Sequence, residues 1–139
     1  MRVLLDTDVI LDYLLEREPF NQTAGKLLEL NAQGVFDGYI SSITPINVFY
    51  IARKILKRDK LKQALNDLLL SLRVCPITHA ALSQALNLPF ADYEDAAQHA
   101  SATASHLDAI VTRNLKDYKN ATLPVFSPTN FLNQVTPPE

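Results

Sequence analysis

The sequence predicts an α/β fold, with a mostly parallel sheet and helices covering both of its faces. Three observations predict it. Short apolar runs alternate along the chain with segments of helical periodicity. Runs such as "VLL" and "AIV" are continuously apolar, as strands buried on both faces are. No repeat, low-complexity stretch or linker breaks the alternation, so one domain is expected over residues 1–135, with "TPPE" at 136–139 a frayed, disordered tail.

"RVLLD" reads as the first buried strand, and from Val9 the residues Val9, Ile10, Tyr13 and Leu14 recur at helical spacing up to the stop "EREP". "NQTAGKLLELNAQG" is a second helix with Ala24, Leu27 and Leu28 as its stripe and Gly34 just past its end. "FDGYISS" is a strand entered from a turn at Asp37-Gly38. "TPINVFYIARKILKR" predicts one helix over 44–58, capped by Thr44, with Pro45 at its first position and Ile46, Phe49, Tyr50 and Ile51 towards the core. "KLKQALNDLLLSL" is a further helix, and "RVCPI" a strand. Thr78 caps "HAALSQALNL", and the helical "DYEDAAQHASATASHL" follows "PFA". "DAIVT" and "PVFS" are the last strands, and Ser127 with Pro128 opens a closing helix.

Composition bounds the chemistry without naming it. Of the 139 residues, 47% are hydrophobic and 20% charged, which is the balance of a soluble globular domain. No apolar run could span a bilayer, and the single Cys75 excludes an internal disulfide framework, so the cytoplasm is the expected setting. A net charge of −2 argues against gripping nucleic acid by bulk positive charge alone.

In folds of this class a site forms beyond the carboxyl ends of the strands, which directs attention to Asp6, Thr7 and Asp8, to Ser41 and Ser42, and to Thr112, Arg113 and Asn114. Asp6 stands at a strand end, where a carboxylate beside the interior needs a partner; Asp8 also suits a helix cap. At 100° per residue, Asp92, Asp95, His99 and His106 fall within an arc of roughly 60°. Tyr93, Ala96, Ala97, Ala100 and Ala104 form an adjoining apolar face, while Glu94, Gln98, Ser101 and Ser105 make a solvated one, with Glu94 pointing away from Asp95. Asp92 also suits the helix cap, and Asp95 its first turn. Carboxylates converging on one cleft must protonate or bind a cation, and oxygen-rich sites suit Mg²⁺ or Mn²⁺. The sequence has no P-loop, GxGxxG, CxxC pair or HExxH.

"LLDTDVILDYLL", "DYEDAAQHASA" and "DAIVTRNLKDY" together resemble the PIN-domain nucleases, and within them the small bacterial branch related to the VapC toxins. "SITPINVFYIARK" and "LPVFSPTNFL" extend the resemblance over essentially the whole chain. It implies a three-layer α/β/α sandwich, Mg²⁺- or Mn²⁺-dependent endoribonuclease activity, homodimers and inhibition by a cognate antitoxin. The family's acidic set falls on Asp6, Asn47, Asp95 and Asn114. A glutamate is usual at the position of Asn47 and an aspartate at that of Asn114, so two carboxylates are amides here. Asp117, with Asp92 or Asp8, restores acidity, giving Asp6, Asp8, Asp92, Asp95 and Asp117 as the candidate metal ligands.

RNA has two basic approaches: Arg53 and Lys54 in "RKILKRDKLK", and Arg113 and Lys116 beside the strand-end site. Cations at the end of a helix over 44–58 would also simply complement its dipole. Two rival readings remain at this level. One is a catalytically weakened domain of the same kind that binds RNA or protein without cutting. The other is a haloacid-dehalogenase-type phosphatase, whose Asp-x-Asp opening "VLLDTDV" matches but whose later acidic pair "DAIVTRN" does not supply.

Overall fold

The computed structural model describes residues 1–136; the rest of the segment expected to fray, 137–139, lies outside the described residues. Five strands form one parallel sheet: β1 (Arg2–Leu5), β2 (Asp37–Ser41), β3 (Arg73–Cys75), β4 (Ala109–Val111) and β5 (Val125–Phe126), in the order β3-β2-β1-β4-β5. Seven α-helices connect and flank them among the described residues: α1 (Thr7–Leu14), α2 (Asn21–Ala32), α3 (Thr44–Ala52), α4 (Arg58–Ser71), α5 (His79–Ala85), α6 (Tyr93–Ala104) and α7 (Pro128–Val135). A 3-10 helix, Leu115–Tyr118, follows β4.

Alternation along β1 divides the core. Val3 and Leu5 face one side, where they pack with Ile10 of α1, Leu27 of α2, Val48 of α3, Leu68 of α4 and Phe131 of α7. Leu4 faces the other side, against Ala102 of α6, Ile110 and Tyr118. Buried Ala96, Ala97 and Ala100 let α6 lie close to its neighbours, as the alanine-rich face predicts. The result is the α/β architecture expected, with β1 fully covered by helices on both faces.

The chain runs from β1 outward through β2 to β3, then returns to the far side of β1 for β4 and β5. The order therefore reverses between β1 and β4, and ligands bind at such switch points, beyond the carboxyl ends. The main-chain N–H of Asp6 still donates to the Val111 carbonyl at 2.9 Å, which closes the crevice floor.

The single helix expected over 44–58 is two helices. α3 stops at Ala52, where the N–H groups of Ile55 and Leu56 both turn back to the Ala52 carbonyl, and Lys57 in extended conformation starts α4. The buried side of α3 is Thr44, Val48 and Ala52, spaced by four, so Ile46, Tyr50 and Ile51 lie exposed rather than in the core. The apolar surface of this segment is wider than one stripe, and its neighbours, chiefly α1 and α4, take only one side of it. Thr44 does not cap α3; Ile43 holds that position, and the Thr44 hydroxyl turns inward. The basic residues are therefore split: Arg53 caps the end of α3, with Lys54 next to it, whereas Lys57 and Arg58 begin α4, where the helix dipole disfavours cations. Thr78 and Ser127 do cap α5 and α7 through their hydroxyls, and Gly34 follows α2 at φ 79°, a conformation glycine adopts without strain.

Candidate active site

Asp6 ends β1 and caps α1, its Oδ1 accepting the N–H of Thr7 at 2.7 Å. The cap is thus Asp6 rather than Asp8, because the helix begins directly at the strand end. Oδ1 also accepts from Gln98 Nε2 at 3.0 Å, and Oδ2 from the Thr112 hydroxyl at 2.8 Å. Thr112 follows β4 and takes the N–H of Asn114 at 3.0 Å, so the two strands on either side of the switch point are joined through the carboxylate. Three donors to one buried carboxylate fix its plane.

Asp8 lies one residue into the same helix. Its Oδ2 accepts the N–H of Arg113 at 3.0 Å, while its Oδ1 is buried without any hydrogen-bond partner. Burial, and then the charge of Asp6, push its pKa up to about 6. Asp95, in the first turn of α6, is raised further, to about 7, by burial first and then by the charges of Asp6 and Asp92; Asp117 adds to the rise. Asp6, Asp8 and Asp95 therefore meet in one electrostatic site, with Asp92 and Asp117 at its edge. Asp92 caps α6 by accepting the N–H of Asp95 at 2.9 Å, and Asp117 is exposed on the 3-10 helix.

The face of α6 expected to be solvated is so only in part: Glu94 is exposed and Ser105 half-buried. Gln98 and Ser101 are fully buried, and Glu94 reaches back to Asn47, whose Nδ2 donates to its Oε1 at 2.7 Å. Burial and the charges of Asp92 and Asp6 raise the Glu94 pKa, so this carboxylate belongs to the same field as the others. Helical angles alone misassigned the face because α5 and the sheet enclose more of α6 than its alanine stripe. A signal was present: Gln98 stands one turn after Asp95, where side chains are neighbours. His99 and His106 do not join the acids. His99 is buried against Phe90 and accepts the N–H of Thr122, and burial lowers its pKa; His106 follows the end of α6 at φ 58° and is exposed.

Asn114 is exposed and its main chain starts the 3-10 helix; its side chain makes no cap bond. Arg113 is held by Asp12, a residue that no sequence pattern singled out, and its guanidinium stacks on Phe20 at 4.0 Å from the ring centroid. Lys116, Arg53 and Lys54 are exposed, with Arg53 over the Tyr50 ring.

Whether these residues suit a divalent cation follows from the donor set. Among the described residues no group of three or more His, Cys, Asp or Glu side chains is assembled to hold an ion by itself. Mg²⁺, however, keeps several waters and takes one or two protein carboxylates. A pair of mutually repelling acids, Asp6 and Asp95, beside an unpartnered buried oxygen of Asp8 fits that pattern.

A family model described as a PIN domain matches residues 2–116. The chain belongs to the PIN-domain family. The match sets aside the phosphatase reading, and PIN domains are in general nucleases that depend on a divalent metal ion. Solved structures with the same PIN fold include a toxin–antitoxin complex from Klebsiella pneumoniae, 26% identical, with 91% of this chain and 97% of that chain covered at a TM-score of 0.68. FitAcB from Neisseria gonorrhoeae is 23% identical over 91% of this chain and 98% of its own, at 0.69. VapBC2 from Rickettsia felis, bound to a DNA fragment from its promoter, is 20% identical over 90% and 97%, at 0.70. No curated protein matches the sequence. No helix of this PIN domain is long and apolar enough to cross a membrane among the described residues.

Proposed function

We propose that this PIN domain is a metal-dependent endoribonuclease that hydrolyses RNA phosphodiester bonds as the toxin of a toxin–antitoxin pair in the cytoplasm. The observation that carries the reading is the convergence of Asp6 and Asp95 at the β1–β4 switch point, with Asp8 Oδ1 buried and unpartnered beside them. Asp6 and Asp95 would hold Mg²⁺ or Mn²⁺, with Asp8, Asp92 and Asp117 contributing charge around them. A divalent cation there supplies an acidified water and neutralises charge building on a phosphoryl group. The chain's own residues do the rest. Thr112 and Gln98 hold the Asp6 carboxylate, and Asp95, with its raised pKa, can carry a proton when no cation is bound.

RNA would approach over the exposed cations Arg53, Lys54, Lys57 and Arg58, none of which is in an ion pair among the described residues. Lys116 and the outer edge of Arg113 flank the acids on the other side. The exposed Ile46, Tyr50 and Ile51 offer an apolar surface for protein partners, a second copy of the chain and an antitoxin.

Asn47 and Asn114 favour the alternative, a domain that binds RNA or protein without cutting, since an amide cannot act as a general base. Purified protein titrated with Mn²⁺ and Mg²⁺ against a mixed structured RNA pool decides between them, with Asp95→Asn as control. Cleavage that needs the cation and vanishes in the variant establishes the nuclease. Cation binding without cleavage establishes the binding domain.

A further inference from the structure

We infer that Gln98 is a positioning residue that sets the Asp6 and Asp95 carboxylates relative to one another, an inference that rests on the reading of those two acids as cation ligands. Gln98 is fully buried, and every hydrogen-bonding capacity of its amide is used. Its Oε1 lies 2.9 Å from the Ser41 hydroxyl and 3.3 Å from that of Thr44. Its Nε2 lies 3.0 Å from Asp6 Oδ1 and 3.3 Å from the Tyr118 hydroxyl. The orientation of the amide is unambiguous: a carboxylate accepts only, so nitrogen must face Asp6, and the oxygen must then face two hydroxyls.

The direction of each bond has a consequence. Because the Tyr118 oxygen accepts from Gln98, its proton is free to go to Asp95 Oδ1, 3.3 Å away. One amide nitrogen thus serves both acids, Asp6 directly and Asp95 through Tyr118. The two carboxylates come from different elements, the end of β1 and the first turn of α6. Neither has a direct hydrogen bond to the other, so this buried chain is what couples their side-chain positions. Tyr118 is itself 2% exposed and packs edge-on to Phe90 at 5.7 Å between ring centroids, which leaves its hydroxyl little freedom. An apolar side chain of the same length would fill the space and still lose both donors.

Gln98→Met does this while leaving Ser41, Thr44 and Thr7 close enough to pair among themselves. Tyr118→Phe cuts only the branch to Asp95. Binding of Mn²⁺ alone, followed by electron paramagnetic resonance, should weaken about 10–100-fold in Gln98→Met, the effect of removing an outer-shell partner. Tyr118→Phe should weaken it less, and the two changes together should fall short of the product of the single effects. Crystals of cation-free Gln98→Met should show the Asp6 carboxylate turned from its parent position. A folded Gln98→Met that binds Mn²⁺ as the parent does overturns the inference, as does an unmoved Asp6 in those crystals. If Gln98→Met does not fold, parent-like Mn²⁺ binding by Tyr118→Phe overturns it. A parent that binds no Mn²⁺ overturns the ligand reading instead; the crystals then decide the positioning of Asp6 without it.

Discussion

Arg113 and Asp12 form a two-point pair, Nε to Oδ2 at 2.6 Å and Nη2 to Oδ1 at 3.0 Å, with the Asp12 carboxylate 1% exposed. The pair ties the loop after β4 to the inner side of α1, and so places the main-chain N–H that Arg113 gives to Asp8. Arg17 adds a longer contact to the same carboxylate at 3.9 Å. Breaking a buried pair by removing one partner costs about 3–5 kcal/mol, and the partial exposure of Arg113 puts this one at the lower end. Arg113→Ala should therefore destabilise the protein by about 3 kcal/mol in urea melts. Arg113→Lys should recover less than half of that, because an ammonium cannot make both bonds. Full recovery by lysine would show that charge alone matters.

The acids themselves should make the cation-free protein sensitive to pH. Asp8 and Asp95 have folded pKa values of about 6 and about 7, above their ordinary 3.8. Their contribution to stability is fully present below about pH 4 and is lost as pH rises through 6 and 7. Asp95→Asn keeps an acceptor for Tyr118 without the charge, so with a chelator present it should melt higher than the parent at pH 8 and alike at pH 4. Equal melting at both values would show that Asp95 is not held among like charges.

Glu94 and Asn47 share one hydrogen bond at 2.7 Å, which makes a sign-definite exchange possible. Asn47→Glu sets two carboxylates against each other and should destabilise by about 1 kcal/mol at pH 8, a typical size for exposed charge pairs. Adding Glu94→Gln should restore the parent melting temperature by reversing donor and acceptor. Additive losses would place the two side chains apart in solution.

For RNA, the cations around the α3–α4 junction set a measurable slope. Arg53→Glu with Lys54→Glu should weaken binding to single-stranded RNA in the presence of chelator. Each phosphate that the variant no longer neutralises should lower the slope of log affinity against log salt by about 0.7. An unchanged slope would leave RNA to the Lys116 side.

Much of the fold was legible because strands buried on both faces are continuous apolar runs, and because Thr78, Ser127 and Gly34 mark boundaries by their own backbone chemistry. Asp6 and Asp95 were legible for a similar reason: one follows a strand end and the other opens a helix. The break at Ala52 was not legible, since residues 44–58 carry helical periodicity throughout, and only packing selects Val48 and Ala52 over Ile46 and Tyr50. Nor was the inward turn of Gln98 and Ser101. An angular projection gives the relative direction of side chains on a helix, but not how wide an arc the neighbours enclose.

The sequence by itself determined the α/β order and the Thr78 and Ser127 caps, and it pointed to Asp6 and Asp95 as candidates, because these depend on residues close together along the chain. The tertiary structure alone decided what those acids touch. Asp6 meets Gln98 and Thr112, 92 and 106 residues away, and Arg113 finds Asp12 across 101. A buried polar group must be paired somewhere, but which partner reaches it is set by how the sheet brings β1, β4 and α6 together.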